Sequence, residues 1–505
     1  MTDSAPPFPN AHAALLAVAH GRLDKTAIAF ESERLTYADI LSLVDTSARN
    51  LAARGIGRGV PFASYSQNRP ELMACYYAAA RLGAMFVPVN PNLTGAEVAY
   101  AVRHSGARIL LHDDMAAEAA RAAVPAEMLV PIDALSEPAG AMTHVIDADT
   151  RPDDDFLIIY TSGSTGTPKA IVLDHAAQAR APVALATMWG MTEADVTLVA
   201  LPLGYLYGLS TAAAVGLQSG GGIALLRRFH PRDAIEGLVG HGATLFHGVP
   251  TMFSMMLEYA EQHDLRVDLS GVRALICAGA PLPLEMRRRF ARCFGKDLQN
   301  YYAMTEATPV FARIAGDTDP MPDDAVGKAV PGLTVRIVRP DGTDCAAGEQ
   351  GEILVRAAAT MSRYLGAPEL TAAAFQDGLF RSGDLGHRDD RGFYYITGRI
   401  KDVIIRGGAN IAPAEVEQVL AAHPAVQDAA VVGAPDRVFG EVPVAFVVLR
   451  HGATASAEDM IAHAGRALAD FKVPRRYMFE TVLPVGTTGK VDKAALRKRC
   501  AGVES

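Results

Sequence analysis

The chain has 505 residues, a formal net charge of -9 and an isoelectric point near 5.9; half of its residues are hydrophobic and a fifth are charged. A single hydrophobic core stops growing at roughly 250–300 residues, so we expect at least two domains. The acidic balance gives no basic field for nucleic acid or for acidic membrane surfaces, which argues against a nucleic-acid-binding function.

The cysteines and the N-terminus favour a reducing compartment. The 5 cysteines are scattered and never spaced as Cys-x-x-Cys, so they indicate neither a disulfide framework nor a zinc site. The apolar stretch near the N-terminus follows no basic region, unlike a secretory signal. We therefore expect a cytoplasmic protein.

Strand-like and helix-like patterns alternate through most of the first 310 residues. Apolar runs typical of buried strands surround Phe156 and Leu275, and helical patterns cover 71–81 and 284–294. This alternation predicts an α/β fold, a large N-terminal domain of layered sheets and helices.

Residues 196–226 carry no charge, and about 20 apolar residues would be enough to cross a bilayer. Pro202 and several glycines, among them Gly204, Gly208 and Gly216, break this stretch into short pieces. We predict buried strands and a short helix around a ligand pocket, and no integral membrane segment.

The pattern changes after Val335 to shorter strand-like pieces. Residues 335–356 predict two strands joined by a Pro-Asp-Gly turn. A Gly-Arg-Ile-Lys-Asp segment and then Arg-Gly-Gly follow, and we place a domain boundary after residue 398. The remaining residues suit a small α+β domain.

Residues 161–170 read Thr-Ser-Gly-Ser-Thr-Gly-Thr-Pro-Lys-Ala and follow a strand-like run. Glycines let backbone N–H groups approach phosphate oxygens, hydroxyls add donors, and lysine adds charge. Pro168 stands where the Gly-x-x-x-x-Gly-Lys-Ser/Thr motif needs its second glycine, so that motif is excluded. Taken alone, a flexible surface loop is the alternative. The candidate phosphate-binding residues are Thr161, Ser162, Gly163, Ser164, Thr165, Gly166 and Lys169.

Two further segments combine polar groups that suit a nucleotide. Residues 301–307 (YYAMTEA) place aromatic rings beside a hydroxyl and a carboxylate, and Mg²⁺ favours one or two carboxylates plus phosphate oxygens and waters. The alternative is a helix start with Thr305 near the N-cap.

Residues 381–386 (RSGDLG), followed by Arg399, place a carboxylate where it could accept hydrogen bonds from both ribose hydroxyls. Alone, an Asx turn is the better interpretation.

Residues 483–493 (LPVGTTGKVDK) place Lys490 after a Gly/Thr loop near the C-terminus. Most lysines in such a position are solvated charges.

Five segments together have the order and rough spacing of the acyl-adenylate-forming superfamily: TSGSTGTPK, YAMTE, SGDLG, GRIKDVI and TGK. The chain resembles this family from about Thr36 to Lys493, and most resembles its acyl-CoA synthetases.

The resemblance implies how a nucleotide would bind. In such enzymes the loop matching 161–169 holds the β- and γ-phosphates of ATP. Tyr302 matches the ring that stacks on adenine. Asp384 matches the ribose-binding aspartate, assisted by Arg399.

The resemblance also implies the catalytic residues. Thr305 matches a phosphate-contacting threonine, Glu306 the Mg²⁺-binding carboxylate, and Lys490 the lysine that bridges the substrate carboxylate and the α-phosphate. Two anions must meet in this reaction, so positioned positive charge matters more than acid/base chemistry.

A mobile C-terminal domain follows from the same resemblance. Residues 1–398 would form the N-terminal ATP- and acid-binding domain, 399–402 the hinge, and 403–505 the C-terminal domain. Lys401 occupies the hinge position, and rotation would bring Gly407 and Gly408 to the nucleotide and open a channel for the thiol of coenzyme A.

The chain departs from the family pattern at three positions: Ala170 ends the phosphate loop in place of a glycine, and near the acyl pocket Ala303 replaces a glycine and Tyr205 replaces a histidine. Added volume narrows a pocket, so we expect a short or compact acid, aliphatic or aromatic. His247 could pair with a second carboxylate, but a core histidine is the better interpretation. The expected pocket residues are Tyr205, Tyr207, His247, Gly248, Ala303 and Thr308, with Gly279 and Ala280 shared with the nucleotide site.

The sequence therefore predicts an ATP-dependent carboxylic acid:CoA ligase that uses ATP, Mg²⁺ and coenzyme A. The alternative is a stand-alone adenylating enzyme that loads an acyl group onto a carrier protein. A nucleotide-binding scaffold without chemistry is disfavoured, because Glu306, Asp384 and Lys490 are all present.

Overall fold

The structure is a computed structural model that describes residues 7–138, 149–161, 168–486 and 491–501. The α-helices are α1 Ala11–Ala19, α2 Tyr37–Ala53, α3 Pro70–Leu82, α4 Gly95–Ser105, α5 Ala117–Ala123, α6 His175–Met188, α7 Val215–Gln218, α8 Pro231–Gly240, α9 Pro250–Gln262, α10 Leu284–Phe294, α11 Pro368–Ala373, α12 Pro413–Ala421, α13 Ala457–Ala464 and α14 Lys493–Ala501. A π-helix, Tyr207–Ala214, leads into α7, and short 3₁₀ turns cover Ala126–Met128, Ile132–Leu135, Ile400–Asp402 and Asp470–Lys472.

The strands of the described ranges belong to three sheets. They are β1 Thr26–Phe30, β2 Glu33–Thr36, β3 Pro61–Tyr65, β4 Met85–Val89, β5 Leu110–His112, β6 Leu129–Pro131, β7 Asp155–Thr161, β8 Lys169–Asp174, β9 Val196–Val199, β10 Gly222–Leu225, β11 Leu245–Gly248, β12 Ala274–Ala278, β13 Leu298–Met304, β14 Ala307–Ala312, β15 Gly327–Ala329, β16 Thr334–Val338, β17 Gly351–Arg356, β18 Ala359–Thr360, β19 Arg363–Tyr364, β20 Phe375–Gln376, β21 Leu379–Arg388, β22 Phe393–Arg399, β23 Ile404–Arg406, β24 Ala409–Ile411, β25 Val426–Asp436, β26 Gly440–Leu449 and β27 Arg476–Glu480.

The first sheet runs in the order β16–β17–β21–β22–β15–β14–β13–β12–β11–β9–β10–β1–β2, with β18 beside β14 and β20 beside β21. Neighbouring strands from β13 to β1 are parallel, and the other pairs are antiparallel. Parallel strands are covered on both faces, which accounts for their continuous apolar runs. In β12 every residue is buried.

The second sheet has the order β19–β8–β7–β4–β3–β5–β6. Helix α3 shares one hydrophobic cluster with strands of both sheets. It is alanine-rich and apolar on all sides, as a helix buried on every face must be. Pro70 at its first position and the left-handed Gly83 after its end fix its limits.

The third sheet, β24–β23–β26–β25 with β27 beside β26, contains strands from Ile404 onward. Helices α12 and α13 pack on one face through Val416, Leu420 and Met460. Helix α14 packs on the other through Leu496.

These observations confirm the predicted α/β class and most of the predicted elements. The uncharged stretch 196–226 forms β9, the π-helix, α7 and β10, so buried strands and a short helix are confirmed. The two strands predicted for 335–356 are antiparallel, but a longer connection than the predicted turn joins them. Within the described ranges, no helix is long and apolar enough to cross a bilayer.

Candidate active site

The carboxyl ends of three neighbouring parallel strands form one edge of the candidate site. Gly248 at the end of β11 lies beside Cys277, and Ala278 at the end of β12 lies beside Tyr301. Gly279, with a φ of 91°, directly follows β12. Ligands of parallel α/β sheets bind outside the carboxyl ends of the strands. The predicted residues brought together at this edge are Gly248, Gly279, Ala280, Tyr302 and Ala303.

Asp384 is the centre of a polar cluster beside this edge. The Tyr302 hydroxyl donates to its Oδ2 at 2.5 Å, and the Arg399 Nε–H donates to its Oδ1 at 2.7 Å. Asp384 is only 3% exposed. Burial raises the pKa of Tyr302 well above its usual value, and the adjacent carboxylate raises it further. The tyrosine is therefore a neutral donor, and its ring stacks on Phe311 at 5.5 Å.

The local structure around Asp384 differs from the Asx turn that the isolated segment favoured. Residues 381–386 lie within β21, and Gly383 has a φ of 68°. The Asp384 N–H donates to Ser382 Oγ of the same segment at 3.0 Å. Cross-strand pairing with Arg399 in β22 then fixes the ion pair.

Thr305 and Glu306 form the two-residue turn of the hairpin between β13 and β14, whose last pair is Met304 with Ala307. The alternative of a helix start at Thr305 is wrong, because the chain reverses here to form an antiparallel pair. A hairpin turn places both side chains at the sheet edge near Tyr302.

Lys169 and Glu306 meet through a third residue, Tyr364. The Tyr364 hydroxyl donates to Glu306 Oε1 at 3.1 Å. The Lys169 Nζ lies 4.9 Å from the centroid of the same ring. Thr161 pairs with Lys169 across β7 and β8, so these two residues mark where the chain enters and leaves the glycine-rich loop.

Several predicted residues lie outside the described ranges. They are Ser162, Gly163, Ser164, Thr165 and Gly166 of the glycine-rich loop, and Lys490.

Four aromatic rings, which would form one wall of the predicted acyl pocket, contact one another. The rings of Tyr207 and His247 meet edge to face at 5.7 Å, and Trp189 lies 4.7 Å from His247 and 5.3 Å from Tyr301. The Tyr301 and Thr308 hydroxyls share a hydrogen bond of 2.8 Å. These residues bring an apolar, aromatic surface to the ends of β11 and β13.

His247 is neutral at this place in the fold. It is 1% exposed, and burial lowers its pKa from 6.5 to about 3. Its Nδ1 has no hydrogen-bond partner among the described residues. The geometry therefore agrees with a neutral core histidine rather than with a cation ready for a second carboxylate.

Tyr205 contacts a different element from the other pocket residues. Its hydroxyl is hydrogen-bonded to Asn90 Nδ2, just after β4. A Cβ at the neighbouring Gly204 would come within 2.6 Å of the Asn90 backbone, so glycine is required for this close approach. Tyr205 thus connects the segment before the π-helix to the second sheet.

The predicted hinge residue, Lys401, lies in the 3₁₀ turn Ile400–Asp402 directly after β22. Its pKa is lowered by desolvation and by the nearby Arg399. Asp402 accepts a hydrogen bond of 2.6 Å from Arg497 in α14, so the turn is tied to the helix that follows the Lys490 segment.

Gly407 and Gly408 form the turn of the hairpin β23–β24, with φ values of 57° and 87°. Both values lie in the left-handed region that glycine adopts without strain. Beside this turn the Arg406 guanidinium lies 4.8 Å from the Phe439 ring and donates to the Phe471 carbonyl at 2.6 Å. Both phenylalanines are more than one-third exposed, 44% and 39% respectively.

Sequence reasoning missed Tyr364, Trp189 and the exposed group Arg406, Phe439 and Phe471. Arg406 stands in the Arg-Gly-Gly segment, but the four aromatic residues lie in no motif recognised from the sequence. A lone tyrosine or phenylalanine carries no signal of its own, and only the three-dimensional arrangement shows what each one contacts.

Glu306 fits a magnesium site of the kind expected with a nucleotide. Its Oε1 is held by Tyr364, and the described residues contain no group of three or more histidines, cysteines or carboxylates that could hold a metal without other ligands. Mg²⁺ commonly binds one or two carboxylates and takes its other ligands from phosphates and water. One carboxylate, with the Lys169 ammonium over the ring of the same Tyr364, is compatible with that requirement.

Comparison with known proteins identifies the family. Residues 15–365 match the AMP-binding enzyme family, and residues 415–490 match the AMP-binding enzyme C-terminal domain. The chain belongs to the AMP-binding enzymes.

Its relatives in this family include CoA ligases. Feruloyl-CoA synthase of Amycolatopsis is 34% identical over 483 residues, which cover 94% of this chain and 96% of that protein. A long-chain-fatty-acid–CoA ligase of Bacillus subtilis strain 168 is 32% identical over 543 residues, with 99% and 93% covered. ATP-bound MatB from Rhodopseudomonas palustris superposes with a TM-score of 0.86 at 31% identity, covering 97% and 99%.

These matches confirm the predicted membership, the predicted enzyme class of acyl-CoA synthetases, and the use of ATP and coenzyme A. They do not favour the alternative of a carrier-protein-loading enzyme.

Proposed function

We propose that this protein is an AMP-forming carboxylic acid:CoA ligase that acts on a short or compact aliphatic or aromatic acid. In the first half-reaction a carboxylate oxygen attacks the α-phosphorus of ATP, and pyrophosphate leaves. In the second, the thiol of coenzyme A loses its proton and its sulfur attacks the acyl carbon, releasing AMP. The observation that carries the proposal is the meeting of the Asp384 cluster with Glu306 and Lys169 at the strand ends.

The Asp384 cluster supports binding of a nucleoside. Each oxygen of its carboxylate holds one protein donor, Tyr302 or Arg399. A carboxylate has about four acceptor sites, so each oxygen has a second lone pair for a ribose hydroxyl. One face of the Tyr302 ring stacks on Phe311, and the proposal assigns adenine to the other face.

Lys169 and Glu306 support binding of the triphosphate. In this proposal the lysine neutralises phosphate charge, and the Glu306 carboxylate binds the Mg²⁺ that accompanies ATP. Bound Mg²⁺ would offset the negative charge on the phosphates. Thr305 lies beside Glu306 in the same turn and offers its hydroxyl to a phosphate.

The C-terminal residues would serve the two half-reactions in turn. We assign the boundary to residues 399–402, with 1–398 on one side and 403–505 on the other. The positive charge of Lys490 would offset the repulsion between the substrate carboxylate and the α-phosphate during adenylation. One such charge at 4 Å contributes roughly 4 kcal/mol of gross attraction at an effective dielectric near 20. Rotation at Lys401 would then bring the Gly407–Gly408 turn to the nucleotide.

The exposed group Arg406, Phe439 and Phe471 beside that turn supports coenzyme A as acceptor. Exposed aromatic faces stack on a purine, and a guanidinium pairs with phosphate. The nucleotide part of coenzyme A contains both a purine ring and phosphates.

We also propose that the enzyme works in the cytoplasm, where its substrates ATP and coenzyme A are present.

The aromatic wall of the pocket supports a compact acid with a single carboxylate. Trp189, Tyr207 and Tyr301 fill the space behind the strand ends with ring atoms. Neutral His247 offers no charge to a second carboxylate. The family names alone do not decide acid size, because one relative is named for ferulate and another for long-chain fatty acids.

The proposal is tested with a panel of acids, from acetate to palmitate and including benzoates and malonate, in acid-dependent exchange of labelled pyrophosphate into ATP. We expect exchange with compact monocarboxylates and none with palmitate or malonate. Coenzyme A should then convert the adenylate to a thioester without any carrier protein. Exchange with palmitate alone would contradict the assigned pocket, and no exchange with any acid would contradict the ligase.

A further inference from the structure

A short strap, residues 359–365, joins the two large sheets at the candidate site. Its first strand, β18, pairs with β14, and its second, β19, pairs with β8. The Met361 N–H donates to the Glu306 carbonyl at 2.8 Å, and the Leu365 N–H donates to the Ala170 carbonyl at 2.9 Å. The strap therefore sets the distance between the Glu306 turn and the strand that begins at Lys169.

Tyr364 is the strap residue that contacts both functional side chains. It is 4% exposed, its hydroxyl donates to Glu306 Oε1 at 3.1 Å, and its ring lies 4.9 Å from Lys169 Nζ. Burial and the Glu306 carboxylate raise its pKa. The hydroxyl is thus protonated at neutral pH and can only donate to that carboxylate oxygen.

We propose that Tyr364 is a positioning residue that holds Glu306 and Lys169 ready for the magnesium–triphosphate complex. The inference rests on the proposed function, in which Glu306 binds Mg²⁺ and Lys169 binds phosphate. Tyr364 touches neither the metal nor the nucleotide in this proposal. It acts through the two side chains that do.

The physical basis is preorganisation. A free glutamate side chain has several rotamers, and ordering it costs free energy when the metal binds. The Tyr364 hydroxyl fixes Oε1 beforehand and leaves Oε2 for the metal. The ring face attracts the Lys169 ammonium, which limits where that charge can be.

Two substitutions separate these contacts. Tyr364→Phe removes the hydroxyl and keeps the ring, whereas Tyr364→Leu removes both. Tyr65→Phe is the matched control: Tyr65 is also buried, at 3% exposure, and its hydroxyl donates to the Leu93 carbonyl at 2.7 Å, away from the site.

The readout is binding of the α,β-methylene analogue of ATP, measured calorimetrically over a series of Mg²⁺ concentrations, together with Mg²⁺ dependence of pyrophosphate exchange. We expect Tyr364→Phe to raise the Mg²⁺ concentration for half-saturation roughly tenfold, because the substitution removes one hydrogen bond to a charged group. Its affinity for the analogue without Mg²⁺ should stay unchanged. Tyr364→Leu should weaken binding without Mg²⁺ as well, and Tyr65→Phe should change neither.

The outcomes distinguish this proposal from the function on which it rests. If the wild-type protein does not bind the analogue, the proposed function fails. If it binds and Tyr364→Phe requires the same Mg²⁺ concentration, or Tyr65→Phe has the same effect, the positioning role fails. Should Tyr364→Phe not fold, 3-fluorotyrosine at position 364 keeps the hydroxyl. Its fluorine resonance should shift when Mg²⁺ and the analogue bind, and an unchanged resonance would overturn the proposal.

Discussion

Replacing Asp384 by asparagine tests the nucleoside site with little change in shape. The carboxylate faces two protein donors, Tyr302 at 2.5 Å and Arg399 at 2.7 Å. An amide has one oxygen and one NH₂ group, so one of these donors would face another donor. The substitution also removes the charge that the proposed ribose hydroxyls would meet.

The expected magnitude follows from the hydrogen bonds. A hydrogen bond to a charged group contributes about 1.5–3 kcal/mol. At about 1.4 kcal/mol for each factor of ten, losing one such bond to the ribose lowers kcat/KM for ATP roughly 10- to 150-fold. Because Asp384 is buried, leaving Tyr302 or Arg399 without its acceptor should also cost stability, about 1–3 kcal/mol.

The assay compares Asp384→Asn with Glu352→Gln, a matched carboxylate in the neighbouring strand. Glu352 is 8% exposed and pairs with Arg381 at 2.5 Å, and that arginine side chain is 45% exposed. Kinetics of pyrophosphate exchange and thermal unfolding are measured for both. We expect Glu352→Gln to retain the ATP KM of the wild type.

The reasoning would be refuted if Asp384→Asn kept the wild-type kcat/KM for ATP. It would also be refuted if Glu352→Gln lost as much, since the effect would then come from general destabilisation of the sheet.

Three other predictions concern Lys490, Lys401 and two buried histidines. Lys490→Ala should lower adenylation about 10²–10³-fold and leave thioester formation from preformed acyl-AMP largely intact, as measured by separate half-reaction assays; equal damage to both would argue against its role. Lys401→Pro should spare adenylation and block thioester formation, because proline fixes φ; equal loss of both steps would remove the hinge assignment. The buried histidines His247 and His175, with pKa values lowered from 6.5 to about 3 and about 4, stay neutral in the folded state while their unfolded forms take up protons below pH 6.5. Stability should therefore fall as the pH drops below 6.5, and His247→Phe should reduce that slope by about 1.4 kcal/mol per pH unit in denaturant titrations; an unchanged slope would contradict a neutral His247.

The sequence predicted the fold class and the main elements because the patterns are local. A short apolar run such as 274–278 is typical of a covered strand, and the glycines in 196–226 argue against a membrane helix. The structural setting of Thr305 was less accessible from the sequence. A two-residue turn and a helix start share the same residue types, and only pairing of β13 with β14 decides between them.

The candidate site was predicted where residues lie in motifs and missed where contacts come from distant segments. Asp384 and Arg399 are 15 residues apart and stand in recognisable segments. Tyr364 contacts Glu306, 58 residues away in the chain, and Lys169 on the neighbouring strand β8, and no local sequence pattern predicts either contact. The position of Trp189 among the pocket rings could not be predicted from the sequence either, because a single tryptophan at a helix end is typical of any protein core.

The most direct test of the central claim follows oxygen from the acid. The acid is labelled with ¹⁸O in its carboxylate and incubated with the enzyme, ATP, Mg²⁺ and coenzyme A, and the nucleotide product is analysed by mass spectrometry. The account predicts AMP carrying one ¹⁸O for each acyl-CoA formed, because the attacking carboxylate oxygen stays on the α-phosphorus when the thiol displaces AMP. Formation of ADP with the label in inorganic phosphate, or of unlabelled AMP, would contradict adenylation of the acid.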